Sequence, residues 1–135
     1  MKAYTDLSQS KKLAEILPLD SADMSYTLDF DSGMYRISTT SYKGWIIPKC
    51  AESYKGLAQV IPCWSLASLL DVLESEIDGE NGETYKLNIE KDGTWWDVWY
   101  CEEYDEENPI ETTSSKELID VCYKTILKLK GRKLI

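Results

Sequence analysis

The chain has 135 residues, enough for one domain and hardly enough for two, and it carries a formal net charge of −9 without a single histidine. Its 43% of hydrophobic and 29% of charged residues exclude collagen-like chains and long disordered tails. The lack of histidine excludes every mechanism that needs an imidazole, and no apolar run approaches the ~20 residues of a membrane-spanning helix. We expect one soluble domain over residues 1–135.

The first part of the chain predicts a helix followed by a β-hairpin. Apolar residues at helical spacing place the first helix at residues 7–17, with Asp6 as its N-cap and Pro18 at its end. Alternating apolar residues on both sides of the turn at Asp31-Ser32-Gly33 then predict a hairpin over residues 23–40.

The middle of the chain predicts a second helix. The segment Trp45-Ile46-Ile47 is typical of a short strand, whereas residues 49–62 fit no single pattern. Ser65 is placed to cap a helix whose apolar residues recur at steps of three and four up to Ile77. We expect that helix to end near residues 76–78, before two glycines.

The last third predicts a second hairpin and a third helix. Asp92-Gly93 is the strongest short hairpin signal in the chain, since both central residues of a type I′ turn need positive φ. Residues 94–101, rich in Trp, Val and Tyr, are expected to form the returning strand. The sequence from Ser114 to Glu117 resembles a capping box and predicts a helix over residues 115–130.

These elements follow the order α-ββ-α-ββ-α, so the predicted fold class is α+β. Because each hairpin has an apolar face to cover, we expect an antiparallel sheet of about four strands, built from the two hairpins, with the helices packed on one face.

Four cysteines indicate a reducing environment. Cys50, Cys63, Cys101 and Cys122 include no Cys-x-x-Cys pair, the spacing that zinc ribbons and redox motifs use. A nucleophilic role for Cys63, at the start of the second helix, would normally need a base, and the chain has no histidine to serve as one. With no apolar segment after the N-terminal lysine, no secretory signal is expected. We predict a cytoplasmic protein that is not an enzyme, with no metal site, no catalytic residue and no cofactor.

Charge is unevenly distributed along the chain. Residues 71–107 hold 14 acidic and two basic residues, a net charge of −12, whereas the remainder holds 10 acidic and 13 basic residues, a net charge of +3. Phosphate backbones would be repelled by the acidic stretch, so we expect no direct nucleic-acid binding, and no membrane partner either. The same asymmetry favours a basic protein as the partner.

Several segments resemble a pattern found in short proteins of unknown function from gut bacteria and their prophages. The segments that carry the resemblance are Lys12-Leu13-Ala14-Glu15-Ile16-Leu17-Pro18, Ser21-Ala22-Asp23-Met24, Ile61-Pro62-Cys63-Trp64-Ser65-Leu66-Ala67-Ser68-Leu69-Leu70 and Asp120-Val121-Cys122. In those proteins the Pro-Cys-Trp-Ser-Leu element also opens a helix. The resemblance implies a bacterial or phage-borne accessory protein inside the cell, and it brings no activity and no catalytic residue.

Three tryptophans in the predicted strand 94–101 are the most unusual feature. Strand alternation puts Trp95, Asp97 and Trp99 on one face, opposite the face of Trp96 and Tyr100. An unpaired buried carboxylate is unfavourable, so the face of Asp97 is expected to be exposed; the reverse orientation, with Asp97 at a sheet edge, is the alternative. The candidate interaction surface joins this face to the acidic stretch 102–107, which we expect to be a loop, and consists of Trp95, Asp97, Trp99, Glu102, Glu103, Asp105 and Glu106.

Exposed tryptophans beside carboxylates favour three functions. The first is a non-enzymatic protein-interaction module, with aromatic residues at the centre of the interface and carboxylates at its rim. The second is a small glycan-binding module that stacks sugars on the same tryptophans. The third is a carboxylate-based hydrolase, although no spacing singles out a pair of acids among the 24. The oligomeric state and the identity of a partner are left open.

Overall fold

A computed structural model of the chain describes residues 1–38, 49–103 and 105–135, and for residues 105–108 it describes the backbone alone. The chain folds as two compact units, an N-terminal unit of Ala3–Ser68 and a C-terminal unit that consists of Leu69–Ile135 and also includes Met1–Lys2. The predicted α+β class is confirmed, since three helices and nine strands lie in the described ranges and every strand pair is antiparallel. No helix in those ranges is both long and apolar enough to cross a membrane.

The helices are α1 (Leu7–Ile16), α2 (Leu66–Val72) and α3 (Leu118–Gly131), with a 3-10 turn at Leu19–Ser21. The strands are β1 (Met24–Leu28), β2 (Tyr35–Ser38), β3 (Ser53–Tyr54), β4 (Leu57–Ala58), β5 (Val60–Cys63), β6 (Glu76–Asp78), β7 (Thr84–Asp92), β8 (Trp95–Glu102) and β9 (Asp105–Ser115).

The start of α1 confirms the local prediction. The Asp6 carboxylate accepts a hydrogen bond from the Gln9 N–H at 2.8 Å, and the Gln9 side chain accepts one from the Asp6 N–H at 3.1 Å. This reciprocal capping box satisfies two N–H groups that have no partner inside the helix. The helix ends one residue earlier than predicted, and Leu17 and Pro18 follow in extended conformation and lead into the 3-10 turn.

The N-terminal unit contains a three-stranded sheet in the order β2-β1-β5 and a two-stranded ribbon of β3 and β4. The predicted hairpin is present as β1 and β2, with Leu28 opposite Tyr35. Strand β5, in which all four residues are buried, pairs with β1 and was not predicted. The predicted strand at Trp45-Ile46-Ile47 lies outside the described residues.

The tryptophan before α2 lies at the centre of the N-terminal core. Trp64 is fully buried, and its indole N–H donates to the Ser21 hydroxyl at 2.9 Å. Its backbone N–H donates to the Thr5 hydroxyl at 3.2 Å, and its carbonyl accepts from the Thr5 N–H at 2.9 Å. Trp64 therefore ties the first residues of the chain to the entry of α2.

Ser65 caps α2 as the sequence predicts. Its hydroxyl oxygen accepts from the Ser68 N–H at 3.2 Å, while the same hydroxyl and the Ser65 N–H donate to the Asp23 carboxylate. Burial opposes ionisation of Asp23, but these hydrogen bonds outweigh it and hold its pKa below the usual range.

The C-terminal unit contains a four-stranded sheet in the order β6-β7-β8-β9, and α3 packs on β8 and β9. The described strands thus lie in three sheets, of three, two and four strands, whereas one sheet of about four strands built from the two hairpins was expected. Helix α2 ends at Val72 because the segment expected to complete it, Glu76–Asp78, pairs with β7 instead. The turn between β6 and β7 is closed by a hydrogen bond from the Gly79 N–H to the Glu83 carbonyl at 2.7 Å.

The predicted capping box of the last helix is wrong. Ser114 and Ser115 belong to β9, and α3 begins three residues later than predicted, at Leu118. Its N-cap residue is Glu117, which makes no capping bond through its side chain. The serines are drawn into β9 because they pair with Asp97 and Trp96 of β8.

Candidate functional site

The candidate site is built on the hairpin of β7 and β8. The turn lies one residue later than predicted, with Gly93 and Thr94 at its centre and Asp92 paired with Trp95. Of the two central residues of this turn, only Gly93 has a positive φ, at 61°. A positive φ at the first central position alone is typical of a type II′ turn, whereas a type I′ turn was expected.

The inward face of β8 is the one expected from the position of Asp97. Val98 and Tyr100 are fully buried, and the Tyr100 hydroxyl donates to the Glu74 carbonyl at 2.7 Å. Trp96, on the same face nearer the turn, is half-buried, and the Lys91 ammonium lies 5.4 Å from the centre of its indole ring. The orientation is therefore confirmed at Val98 and Tyr100, which form part of the core beneath the sheet.

We call the opposite face of this hairpin the tryptophan face; it consists of Trp95, Asp97 and Trp99 of β8 with Glu90 and Asp92 of β7. The register pairs Glu90 with Asp97 and Asp92 with Trp95, so the side chains of each pair lie on the same side of the sheet. Trp95 is 48% exposed, and Trp99 is half-buried instead of open. Trp95 is thus the more exposed of the two tryptophans, and it lies on the same face as three carboxylates.

The side chains of the tryptophan face differ in whether they have partners among the described residues. Asp97 accepts a hydrogen bond from the Ser114 hydroxyl of β9, and the Lys116 ammonium lies 5.7 Å from the centre of the Trp95 ring. Glu90 and Asp92 are exposed, and neither takes part in a salt bridge within the described part of the chain. These two carboxylates are available to a partner.

The acidic stretch does not flank Trp95 as expected. Glu102 ends β8 and, by strand alternation, lies on the face opposite Trp95, while Glu103 forms an ion pair with Lys86 at 3.3 Å. Seven residues at ~3.3 Å each place Glu102 about 23 Å along the strand from Trp95. Asp105 and Glu106 begin β9, so the predicted loop is largely strand; their side chains lie outside the description.

The carboxylates that do lie beside Trp95 were missed from the sequence. Glu90 and Asp92 belong to β7, and they face Trp95 and Asp97 only because the hairpin sets that register. The predicted turn, centred on Asp92 and Gly93, would pair Glu90 with Trp95, so the hairpin signal could have found Glu90; the position of Asp92 follows only from a turn one residue later.

Burial disfavours the reactive thiolate form of three of the four cysteines. Burial raises the pKa of the Cys63 thiol and raises that of Cys122 to about 12, which disfavours the thiolate in both. Burial also raises the pKa of the Cys50 thiol, but Cys50 is only half-buried and lines a groove of about 520 Å³ in the N-terminal unit.

We expect one thiol per folded chain to react with a small disulfide reagent at neutral pH, slowly, and all four to react after denaturation. Cys50 is the expected site because the other three are buried. Counting released thiolate by absorbance tests this, with Cys50→Ser as the control that removes the reaction. Rapid reaction of two or more thiols in the folded chain would show that the buried cysteines are accessible.

No cluster of three or more Cys, Asp or Glu side chains suited to a metal ion occurs among the described residues. Comparison with protein-family models, with curated proteins and with solved structures finds no match to this chain.

Proposed function

We propose that this chain is a non-enzymatic protein-interaction module that binds a basic partner through the tryptophan face. The supporting observation is the position of Trp95, 48% exposed near the turn of the hairpin, beside Glu90 and Asp92, which are exposed and form no salt bridge with the described residues. Tryptophan is enriched among the residues that dominate binding energy at protein interfaces. Carboxylates around such a residue favour a basic partner and speed its association at low salt.

Glycan binding has less support. Sugar-binding sites stack a pyranose on an open aromatic face, and the Lys116 ammonium already lies 5.7 Å from the centre of the Trp95 ring. Trp99, the second aromatic residue on this face, is half-buried.

The test is affinity capture from a nuclease-treated lysate of the cells that produce the protein, at low salt, with Trp95→Ala beside the wild type. We expect a basic protein captured by the wild type to bind the variant about 30-fold more weakly, the loss expected for an interface residue worth ~2 kcal/mol. The interaction is then measured with the purified partner, and it should weaken as salt is raised.

The matched control is Phe30→Ala, which removes an exposed aromatic residue of the N-terminal unit. It should bind as the wild type does. If all three proteins capture the same set equally, the tryptophan face is not the binding surface and the proposed function is wrong.

A further inference from the structure

The outer edge of β7 is paired with β6 along less than half of its length. Strand β6 spans only Glu76–Asp78, opposite residues 84–86, and one further bond joins the Leu87 N–H to the Ser75 carbonyl at 2.9 Å. Beyond Leu87, no strand of the described chain lies along that side of residues 88–92. About 17 Å of strand edge therefore remains open beside the hairpin turn.

Backbone groups on this open edge point outward in a fixed alternation. Because the Leu87 N–H bonds toward β6, the N–H and carbonyl groups of Ile89 and Lys91 point the same way, while those of Glu90 are used in the ladder with β8. Ile89, Glu90, Lys91 and Asp92 are all exposed. An edge of this kind is a template for another extended chain.

We propose that an extended, basic segment of the partner protein adds to this edge as an antiparallel fifth strand, pairing with Ile89 and Lys91. The proposal rests on the proposed function and specifies how the partner is held. Backbone hydrogen bonds provide affinity in this mode of recognition, and alternating side chains provide specificity.

The charges on the edge define the segment that fits it. Glu90 and Asp92 project on the tryptophan face, about 7 Å apart, so lysine or arginine is favoured at two alternate positions of the added strand. Ile89, which is 38% exposed, lies on the other face and favours an apolar residue next to the partner of Glu90. Lys91 lies between Glu90 and Asp92 on that same face and disfavours a third basic residue between the two basic positions. Because the added strand is antiparallel, the recognised pattern is basic-x-basic-apolar, in which x is not basic; alternating lysine and valine satisfy it.

A defined peptide tests this inference without knowledge of the natural partner. The probe is a capped hexapeptide of three Lys-Val repeats, titrated into the wild-type chain while the backbone amide signals are followed by NMR. In the antiparallel register its valine N–H groups face β7. We expect binding, with slowed hydrogen exchange at Ile89 and Lys91, and at least a tenfold loss when the three valines are N-methylated. The same peptide N-methylated at its lysines keeps its charge and should bind within about threefold of the parent.

A variant of the chain tests the same edge from the other side. Lys91→Pro removes an N–H that makes no ladder bond, a change that edge strands accept. We expect it to weaken peptide binding at least tenfold, whereas Lys91→Ala, which keeps the N–H, should bind as the wild type does. Circular dichroism verifies that both variants are folded, and the N-methylated peptides decide the question if Lys91→Pro is not.

The outcomes separate this inference from the proposed function. If the peptide N-methylated at valine binds as tightly as the parent, the contact is one of charge alone and strand addition is overturned, although the tryptophan face keeps its role. Strand addition is also overturned if a captured partner depends on Trp95 and is unaffected by Lys91→Pro. If the peptide pairs with β7 but the capture of no protein depends on Trp95, strand addition at this edge is supported and the proposed function is wrong.

Discussion

Replacing Trp64 with alanine is expected to lower the free energy of unfolding by about 3–5 kcal/mol, the range found when a large buried aromatic side chain is removed. Trp64 is fully buried, so the substitution leaves a cavity in the N-terminal unit. It also removes the indole N–H that donates to the Ser21 hydroxyl at 2.9 Å, which leaves that hydroxyl with the hydrogen bond it donates to the Pro18 carbonyl.

Chemical denaturation followed by far-ultraviolet circular dichroism measures this effect. Trp64→Phe is the intermediate control, since it keeps an aromatic ring and loses the indole N–H, and we expect it to be less destabilising than alanine. Met34→Ala, at a residue that is 68% exposed, should change the free energy of unfolding by no more than about 0.5 kcal/mol. A loss below about 1 kcal/mol for Trp64→Ala would contradict the packing described for this residue.

Three features of the fold that depend on neighbouring residues were predictable from the sequence, although the local signal for a capping box at Ser114 was overridden by strand pairing. The Asp6 cap, the hairpin of β1 and β2, and the Ser65 cap each need only a few adjacent residues, and all are present. Local patterns are informative there because the stabilising hydrogen bonds form within the same short segment.

Features that depend on distant residues were not predictable. Strand β5 is only four residues long and is recognisable as a strand only once β1, more than 30 residues earlier, lies beside it. The segment Glu76–Asp78 fits the helical spacing of α2 as well as it fits a strand, and pairing with β7 decides between the two. Helical spacing is therefore an insufficient signal when a strand partner competes for the same residues.

The candidate site was predicted in part for the same reason. The charge of Asp97 was enough to indicate which face of β8 points away from the core, because a carboxylate is unfavourable inside it. The acidic neighbours of Trp95 needed the register between two strands, and the sequence run Glu102–Glu107 drew attention to the wrong end of β8. Proximity along the chain was a weaker guide than proximity across the hairpin.

Tyr100→Ala is expected to have an effect as large as that of Trp64→Ala, about 3–5 kcal/mol, in the C-terminal unit. Tyr100 is fully buried, and its hydroxyl donates to the Glu74 carbonyl at 2.7 Å. Tyr100→Phe keeps the ring and loses only this hydrogen bond, so we expect a loss of about 1–2 kcal/mol. Trp95→Ala, on the exposed face of the same strand, should cost no more than about 1 kcal/mol, which separates the packing role of Tyr100 from the proposed binding role of Trp95.

The pH dependence of stability tests the environment of Tyr100 independently. Burial, reinforced by the nearby Glu74 carboxylate, raises the pKa of Tyr100 above its ordinary value, and burial raises that of Tyr26 in the N-terminal unit as well. The stabilisation from each group is complete below the unfolded pKa of about 10 and is lost as pH rises toward the folded value. We therefore expect stability to fall at alkaline pH, and to fall less steeply in Tyr100→Phe, where Tyr26 and the buried thiols of Cys63 and Cys122 still contribute in this way. An identical alkaline slope in the wild type and in Tyr100→Phe would show that the Tyr100 hydroxyl is as well hydrated in the folded chain as in the unfolded one.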